Sequence, residues 1–377
     1  MPRTTALTTV YVTGYILVED ALPVRQKPGT QVQRSPYSPP VRHLMEEMSS
    51  TFFVDDIQET PKVTLTRIEM HSHDIAAFTF ESPTHINIVP GQAAILDLKS
   101  FVGTLPYQHM APGNPASVND DRIRTWTVSG SSKWAGWSYA NADTTTSPLS
   151  FTLTIRHKPG GAVTTALFTI ARKLTESRPE LLEDSRPLQL SVPIVSVAGD
   201  FTLPERANAC FSGREAVSAP AVRKWLWIAG GIGVTPFLAM LAGMKQQKND
   251  SESKEDVIIL LSTREANVLL PLIVRALECT ADYLEEGHRG KLSIHVFSRS
   301  PPSASSVTVE SRTALAIEVT THEGRLSKET MSALHMDDVR ERQIYVCGPE
   351  AFEKTALAAL KEMGVDSPDV KREGFAY

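Results

Sequence analysis

The chain has 377 residues, 41% of them hydrophobic, which is enough for two ordinary domains with buried cores and a further segment. Its formal net charge of −5 gives no general attraction to nucleic acid or to an anionic membrane, so we expect small molecules and proteins as partners. Cys210, Cys279 and Cys347 are too few and too scattered for a disulfide framework or an iron–sulfur or zinc site. We therefore predict a cytoplasmic rather than mitochondrial location, no membrane span and no metal.

Residues 1–60 differ in composition from the rest of the chain. A β-like run, Val10-Tyr11-Val12-Thr13-Gly14 with Ile16-Leu17-Val18, precedes a Pro-rich stretch over 23–40, and so short a segment cannot bury a core alone. The run resembles the closing hairpin of the split-barrel flavin-binding fold of pyridoxamine phosphate oxidase-like proteins, which would make this segment a remnant of an upstream domain. The alternative is a flexible N-terminal extension.

Short strands with alternating side chains follow from residue 62 to about residue 203, for example over 63–68 and 151–155. This pattern is typical of an antiparallel barrel or sandwich. Two stretches rich in Gly, Pro, Asn, Ser and Thr, 103–121 and 131–147, are predicted to be long surface loops. The polar residues 206–222 are the predicted linker to a second domain.

From residue 223 the pattern changes to continuous apolar strands that alternate with helices, which indicates a doubly wound parallel sheet. The predicted strands are 225–229, 257–261, 292–297 and 343–347. The predicted helices are 237–247, 270–284 and 351–363. A Ser/Pro-rich stretch over 300–311 is a predicted loop.

The first strand of this half runs directly into a glycine turn and then a helix. Gly230, Gly231 and Gly233 permit positive φ and a close approach of backbone N–H groups to a phosphate. Thr235 is a predicted N-cap and Pro236 suits the first helical position. The positive end of the helix favours an anion, so the turn is a candidate pyrophosphate site, although one such unit is equally consistent with a structural turn.

Three further motifs carry chemistry, and each alone has an ordinary structural explanation. Arg124-Thr125-Trp126-Thr127 lies on a barrel strand, where Trp126 could simply pack. Lys158-Pro159-Gly160-Gly161-Ala162-Val163-Thr164 forms a second glycine turn that opens a helix. Cys347-Gly348-Pro349 follows a buried strand, where Cys347 could be a small core residue.

Together, and in this order, the motifs resemble those of the ferredoxin-NADP reductase superfamily. Further matching motifs are Pro90-Gly91-Gln92 on an early strand, Gly199-Asp200, Gly324-Arg325-Leu326 and Glu373-Gly374-Phe375. The resemblance covers about 61–377. It implies an α+β protein of two domains, in which a six-stranded antiparallel flavin-binding β-barrel (61–205) precedes a doubly wound parallel α/β NAD(P)-binding domain (223–377).

The resemblance also implies roles for the barrel residues. Arg124 would pair with a flavin phosphate, and Trp126 would stack beside the isoalloxazine where the family usually has Tyr. The hydroxyl of Thr127 would lie near flavin N5. The second glycine turn would hold the phosphates through Gly160, Gly161, Val163 and Thr164.

In the second domain the resemblance implies that the first glycine turn, with Thr235 and Pro236, binds the nicotinamide nucleotide. Cys347, with Gly348 and Pro349, would face the nicotinamide, and Glu373 joins Thr127 and Cys347 as a candidate catalytic residue. Phe375 would either stack on the flavin or pack at the C-terminus. Arg264, Ser298 and Arg299 follow strands where a 2′-phosphate would lie, which slightly favours NADPH over NADH.

The implied function is hydride transfer from NADPH or NADH to bound FAD, rather than FMN, followed by electron transfer to an unidentified acceptor. We expect this acceptor to be a separate protein or small molecule, since residues 1–60 are too few for a haem domain and the chain ends two residues after Phe375. The alternatives are a flavin reductase that releases reduced flavin, and a non-enzymatic flavin- or nucleotide-binding protein.

Overall fold

The computed structural model describes residues 60–102, 122–134, 148–204, 222–244, 254–278, 291–299, 318–334 and 336–375. The N-terminal segment, the predicted loops at 103–121 and 300–311, most of the loop at 131–147 and linker residues 206–221 lie outside these ranges. Within the described ranges, no helix is both long enough and apolar enough to cross a membrane.

The first domain is an antiparallel sheet of seven described strands, in the order β4-β3-β7-β1-β2-β6-β5. Its strands are β1 (Lys62–Met70), β2 (Ile75–Ser82), β3 (Ala93–Asp97), β4 (Ile123–Thr127), β5 (Gly130–Ser131), β6 (Leu149–Arg156) and β7 (Ser191–Ala198). Its helices are α1 (Lys99–Val102), α2 (Ala162–Ser177) and α3 (Glu180–Glu183), and Arg186–Leu188 form a short 3-10 turn. The six longer strands correspond to the predicted barrel, while β5 adds only two residues beside β6.

The barrel core forms because apolar side chains alternate along the strands and α2 closes one side. Phe78 and Phe168 meet edge to face across this contact, with ring centroids 5.8 Å apart. Helix α2 turns one apolar stripe toward the sheet, as the 3.6-residue period requires. The buried residues of this stripe are Val163, Leu167, Phe168, Ala171 and Leu174.

The second domain has six described parallel strands in the order β11-β10-β9-β8-β12-β13. The strands are β8 (Val222–Gly230), β9 (Lys254–Ser262), β10 (Lys291–Ser298), β11 (Glu318–Glu323), β12 (Gln343–Pro349) and β13 (Val370–Phe375). The helices are α4 (Thr235–Met244), α5 (Ala266–Glu278), α6 (Lys328–Ser332) and α7 (Glu350–Glu362). Short 3-10 turns occur at Gly231–Val234, Val339–Glu341 and Ser367–Asp369. Apolar clusters cover both faces of the sheet, as expected for a doubly wound fold.

The four predicted strands are the four central ones, and the sequence pattern did not indicate the edge strands β11 and β13. Strand β11 reads Glu-Val-Thr-Thr-His-Glu and β13 reads Val-Lys-Arg-Glu-Gly-Phe. An edge strand has one open side and tolerates polar side chains, so it lacks the apolar run that marks a buried strand.

The two domains share apolar contacts. Ala239 and Ala242 of α4 belong to the barrel core. In return, Phe201, which follows β7, packs against Phe237 and Tyr345 with centroid distances of 5.8 and 5.2 Å. Each domain therefore contributes to the other's core.

The Pro90-Gly91-Gln92 motif also lies at this contact, in the turn before β3 and not on a strand as predicted. Gly91 has φ of +100°, and a Cβ there would lie 2.1 Å from the Phe201 carbonyl oxygen. On the other side, a Cβ on Gly243 of α4 would meet Pro90 at 2.2 Å. Glycine is therefore needed at these positions for close packing.

We expect Gly91→Ala to cost more stability than Gly324→Ala. Both glycines have nearly the same positive φ, +100° and +102°, but a Cβ at position 324 meets no described atom within 4 Å. Gly324→Ala should lose about 1–2 kcal/mol through backbone strain alone. Gly91→Ala should lose on the order of a further 1–3 kcal/mol through overpacking, measured by chemical denaturation. Equal losses would show that the Phe201 contact yields without cost.

Candidate cofactor-binding cleft

Strand β4 presents the predicted flavin residues. Arg124 and Trp126 are half-buried, and Trp126 packs against the barrel core. The Arg124 Nη1 donates to the Ile123 carbonyl at 2.8 Å. Thr127 is 4% exposed, and its Oγ1 is buried with no hydrogen-bond partner among the described residues. Because a buried hydroxyl without a partner costs free energy, this atom fits a bound polar group.

The second glycine turn is held by its own hydrogen bonds. Gly161 N donates to the Lys158 carbonyl at 2.9 Å, and Lys158 N donates to Thr164 Oγ1 at 3.1 Å. Gly160 has φ of +78°, and a Cβ there would meet no described atom within 4 Å. The turn therefore offers open space at the positive end of α2, as a phosphate requires. The Val163 side chain is core, which leaves its backbone for the phosphate.

The first glycine turn enters its helix without a separate cap. Gly231–Val234 form a 3-10 turn that continues into α4, so Thr235 already has helical angles, φ −56° and ψ −44°. The prediction of Thr235 as N-cap is therefore wrong, and Pro236 is the second helical residue of α4 and not the first. Gly230 occupies the capping position of the 3-10 turn instead.

Different contacts explain why glycine occupies each position in this region. A Cβ on Gly230 or Gly348 would collide with the Phe352 ring, at 2.6 and 2.7 Å. A Cβ on Gly233 would lie 2.3 Å from the Cys347 carbonyl oxygen, so packing requires this glycine. Gly231 alone of the four has positive φ, +57°, and its Cβ would enter space free of described atoms. Gly231 is therefore the position that faces a candidate phosphate.

Cys347 and Glu373 lie opposite each other on neighbouring parallel strands, β12 and β13. Burial, with Glu373 and Glu353 nearby, raises the pKa of the Cys347 thiol, which is therefore neutral. Burial and the charge of Asp200 raise the pKa of Glu373 to about 7. Glu373 Oε2 is also buried, and the described residues provide it with no hydrogen-bond partner. This carboxyl group can therefore gain or lose a proton near neutral pH.

Phe375 ends β13, where its backbone lies opposite Pro349 of β12. Its side chain lies outside the described part of the structure, so its stacking role stays a prediction.

The predicted 2′-phosphate residues lie at one edge of the second sheet, just after neighbouring strands. Arg264 and Arg299 are exposed there, and Ser298 is 1% exposed. Gly324 N donates to the Ser298 carbonyl at 2.9 Å, and the exposed Arg325 follows Gly324. Ligands bind outside the carboxyl ends of the strands in such a sheet. Arg264, Arg299 and Arg325 follow three neighbouring strands there and make this edge favourable for an anion.

Three residues near the cleft were missed as site residues. Asp200 was quoted within a motif but received no role, although it acts on Glu373. Glu353 and Phe352 lie on α7, and their positions follow from how that helix packs against β12. No local signal in the sequence marks either residue.

The chain is similar to known proteins in sequence and in fold. Residues 227–357 match the family described as the oxidoreductase NAD-binding domain. A nitrate reductase [NADPH] of Emericella nidulans is 27% identical over 207 residues, which are 55% of this chain and 19% of that protein. The glycine betaine monooxygenase reductase subunit of Chromohalobacter salexigens is 25% identical over 238 residues, which are 63% of this chain and 50% of that one.

Among solved structures, an Amycolatopsis cytochrome P450 reductase superposes with a TM-score of 0.51 at 15% identity, covering 84% of this chain and 69% of that one. The chain therefore shares the fold of this reductase, and the predicted two-domain fold is confirmed. The family match supports a nicotinamide nucleotide as a ligand of the second domain. The chain spans half or less of the length of the two curated relatives.

We expect Gly160→Ala to weaken flavin retention and Gly231→Ala to weaken nucleotide binding, each without the other effect. Both glycines have positive φ and open space at the Cβ, so the two variants carry similar backbone strain and serve as controls for each other. Flavin occupancy after gel filtration and nucleotide titration by calorimetry measure the two effects. If either variant lost both ligands while its circular dichroism stayed native, separate turns for the two cofactors would be refuted.

Proposed function

We propose that the chain transfers a hydride from NAD(P)H to FAD held by its barrel and then passes electrons to an acceptor. The observation that best supports this proposal concerns Thr127 Oγ1 and Glu373 Oε2, one from each domain. Both atoms are buried without a hydrogen-bond partner among the described residues. The sheet register supports their closeness. Thr127 and Ala198 both pair with Ala93, and Asp200, two residues after Ala198, acts on Glu373.

On the barrel side, the open turn at Gly160 and the N-terminus of α2 would hold the FAD pyrophosphate. The guanidinium of Arg124 would add a charge-assisted contact to phosphate. Trp126 would stack beside the isoalloxazine, and the Thr127 hydroxyl would donate to its N5. The domain division at 61–205 and 223–377 assigns this work to the barrel alone.

On the nucleotide side, Gly231 and α4 would hold the pyrophosphate, and the neutral Cys347 thiol would lie beside the nicotinamide. Arg264, Ser298 and Arg299 would bind a 2′-phosphate. We propose NADPH as the preferred donor, because exposed arginines at that edge favour the additional charge.

A flavin held by Arg124, Trp126 and the Gly160 turn would supply the hydride acceptance and the release of electrons singly or in pairs. The protein would contribute geometry, because the two glycine turns would hold the cofactors at a shared cleft and buried apolar surfaces would exclude water. Glu373 holds a proton close to this cleft near neutral pH. The names of the relatives point to electron delivery to another component, so we propose a separate protein or small molecule as acceptor. The cytoplasmic location stays a prediction.

The direct test is anaerobic addition of NADPH or NADH to the purified protein. We expect the visible absorbance of the flavin to bleach within seconds, and faster with NADPH. Arg299→Ala should weaken NADPH binding by about tenfold or more and leave NADH unchanged, because a charge-assisted contact contributes about 1.5–3 kcal/mol. Failure of both nucleotides to bleach the flavin would refute the oxidoreductase mechanism. A colourless preparation that reduces added flavin would favour the flavin reductase instead.

The ionisation of Glu373 predicts a pH-dependent stability difference. Its folded-state pKa, about 7, lies above the ordinary 4.5, so folding favours the protonated carboxyl. The resulting stability is fully present below the ordinary pKa and is lost as the pH rises through about 7. Glu373→Gln cannot ionise, so its Tm relative to wild type should rise between about pH 5 and pH 8.5. Asp200→Asn keeps the glutamate but removes the charge beside it. The Tm of Glu373→Gln relative to Asp200→Asn should therefore also rise over this range, but by less than relative to wild type. A Tm difference for Glu373→Gln that is constant over this range would contradict the assignment.

A further inference from the structure

Two arginine–glutamate pairs join helix α5 of the second domain to the barrel. Arg275 Nη1 donates to both carboxylate oxygens of Glu69 on β1, at 2.7 and 2.9 Å. Arg156, at the end of β6, reaches Glu265 with both terminal nitrogens, at 2.5 and 3.4 Å. Glu265 immediately precedes α5. The two pairs, Glu69–Arg275 and Arg156–Glu265, are called the α5 clamp below.

The clamp has two separated points of attachment. Glu265 and Arg275 are ten positions apart, which is about 15 Å along a helix. On the barrel, Glu69 pairs with Ala77 of β2, and Arg156 pairs with Ile75 of the same strand. Both barrel partners therefore lie on one rim, formed by β1, β2 and β6. Two attachments on one helix and one rim resist rotation of the domains about their apolar contact.

The apolar contact between the domains supplies adhesion. Ile75, at the start of β2, lies in the apolar cluster of the second domain, and Ala239 and Ala242 of α4 lie in that of the barrel. Apolar burial is non-directional, whereas hydrogen-bonded ion pairs prefer one geometry. The two ion pairs therefore add directional constraints between the domains, beside the hydrogen bond from the Tyr345 hydroxyl to the Thr202 carbonyl.

The Arg156–Glu265 pair also lies near candidate sites for both cofactors. Arg156 lies two residues before Lys158, whose backbone closes the turn that contains Gly160. Glu265 follows Arg264, at the edge where the nucleotide would bind, and Thr263 Oγ1 accepts from Glu265 N at 3.1 Å. A shift of this pair would move the Gly160 turn relative to the sheet edge at Arg264.

We propose that the α5 clamp positions the two domains for hydride transfer, an inference that rests on the proposed function. Its members are positioning residues, since they bind neither reacting atom. All four side chains are partly exposed, between 26% and 38%, so each pair contributes modestly. Loss of one pair should lower the population of the aligned arrangement about 2- to 5-fold. The limiting rate of hydride transfer falls by the same factor, and nucleotide affinity does not.

The test is a charge exchange at the pair farther from the cofactor turns. The variants are Glu69→Arg, Arg275→Glu and the double variant, in which the pair is restored with its charges reversed. The matched control is Arg186→Glu, which breaks the ion pair of Arg186 with Glu81 at 2.7 Å inside the barrel alone. Arg275→Gln repeats the loss without adding a charge and replaces Arg275→Glu if that variant does not fold.

The readouts are the anaerobic limiting rate of flavin reduction, the Kd of the nucleotide, and amide hydrogen exchange over 266–278 in the nucleotide-free protein. We expect each single variant to lower the rate about 2- to 5-fold and to speed exchange in α5, with Kd unchanged. The double variant should recover both values. Wild type at about 0.5 M salt should approach the single variants, because salt screens exposed pairs.

Rates and exchange equal to those of Arg186→Glu would overturn the proposal, and so would a double variant that adds the two single losses. A wild type whose flavin no nucleotide reduces would refute the proposed function instead. In that case the rates of amide hydrogen exchange in α5 of the charge-reversed variants still decide whether the clamp fixes the domains.

Discussion

The packing of Phe201 between Phe237 and Tyr345 is the interaction on which the arrangement of the cleft depends. It places a segment of the barrel inside the core of the second domain, and the Tyr345 hydroxyl donates to the Thr202 carbonyl at 2.9 Å beside it. Asp200 is thereby held next to Glu373. Apolar burial of this kind provides most of the adhesion between domains. The packing of these apolar groups determines where the polar groups of the cleft lie.

The cleft keeps polar atoms in positions that are unfavourable for the isolated protein. The hydroxyl of Thr127 and one carboxylate oxygen of Glu373 are buried without partners among the residues that the structure describes. Native proteins contain few such atoms, and those that persist are often at functional sites. The neutral Cys347 thiol belongs to the same environment, since burial is the main cause of its raised pKa.

The sequence was sufficient to predict the order of the domains, the four central strands of the second sheet and both glycine turns, because each depends on local patterns. The sequence did not predict features that depend on residues distant in the chain but close in space. The edge strands β11 and β13 carry polar residues and lack an apolar run. Thr235 is not an N-cap because a 3-10 turn precedes it, and no residue pattern predicts that turn. The sequence also did not show that the Cys347 carbonyl requires glycine at position 233, and the phosphate role of Gly233 stays a prediction. The α5 clamp joins residues 109 and 206 positions apart, beyond any local signal.

The crowding around Phe352 changes what the glycines of this region can report about ancestry and function. Gly230 and Gly348 accommodate the Phe352 ring, and Gly233 accommodates a carbonyl of the neighbouring strand. A descendant that had lost its nucleotide would still need all three to fold. Retention of these three glycines in a divergent paralogue would therefore reflect packing alone. If Gly231 binds a phosphate, loss of the site would become visible there first, because no described atom within 4 Å restricts a Cβ at that position.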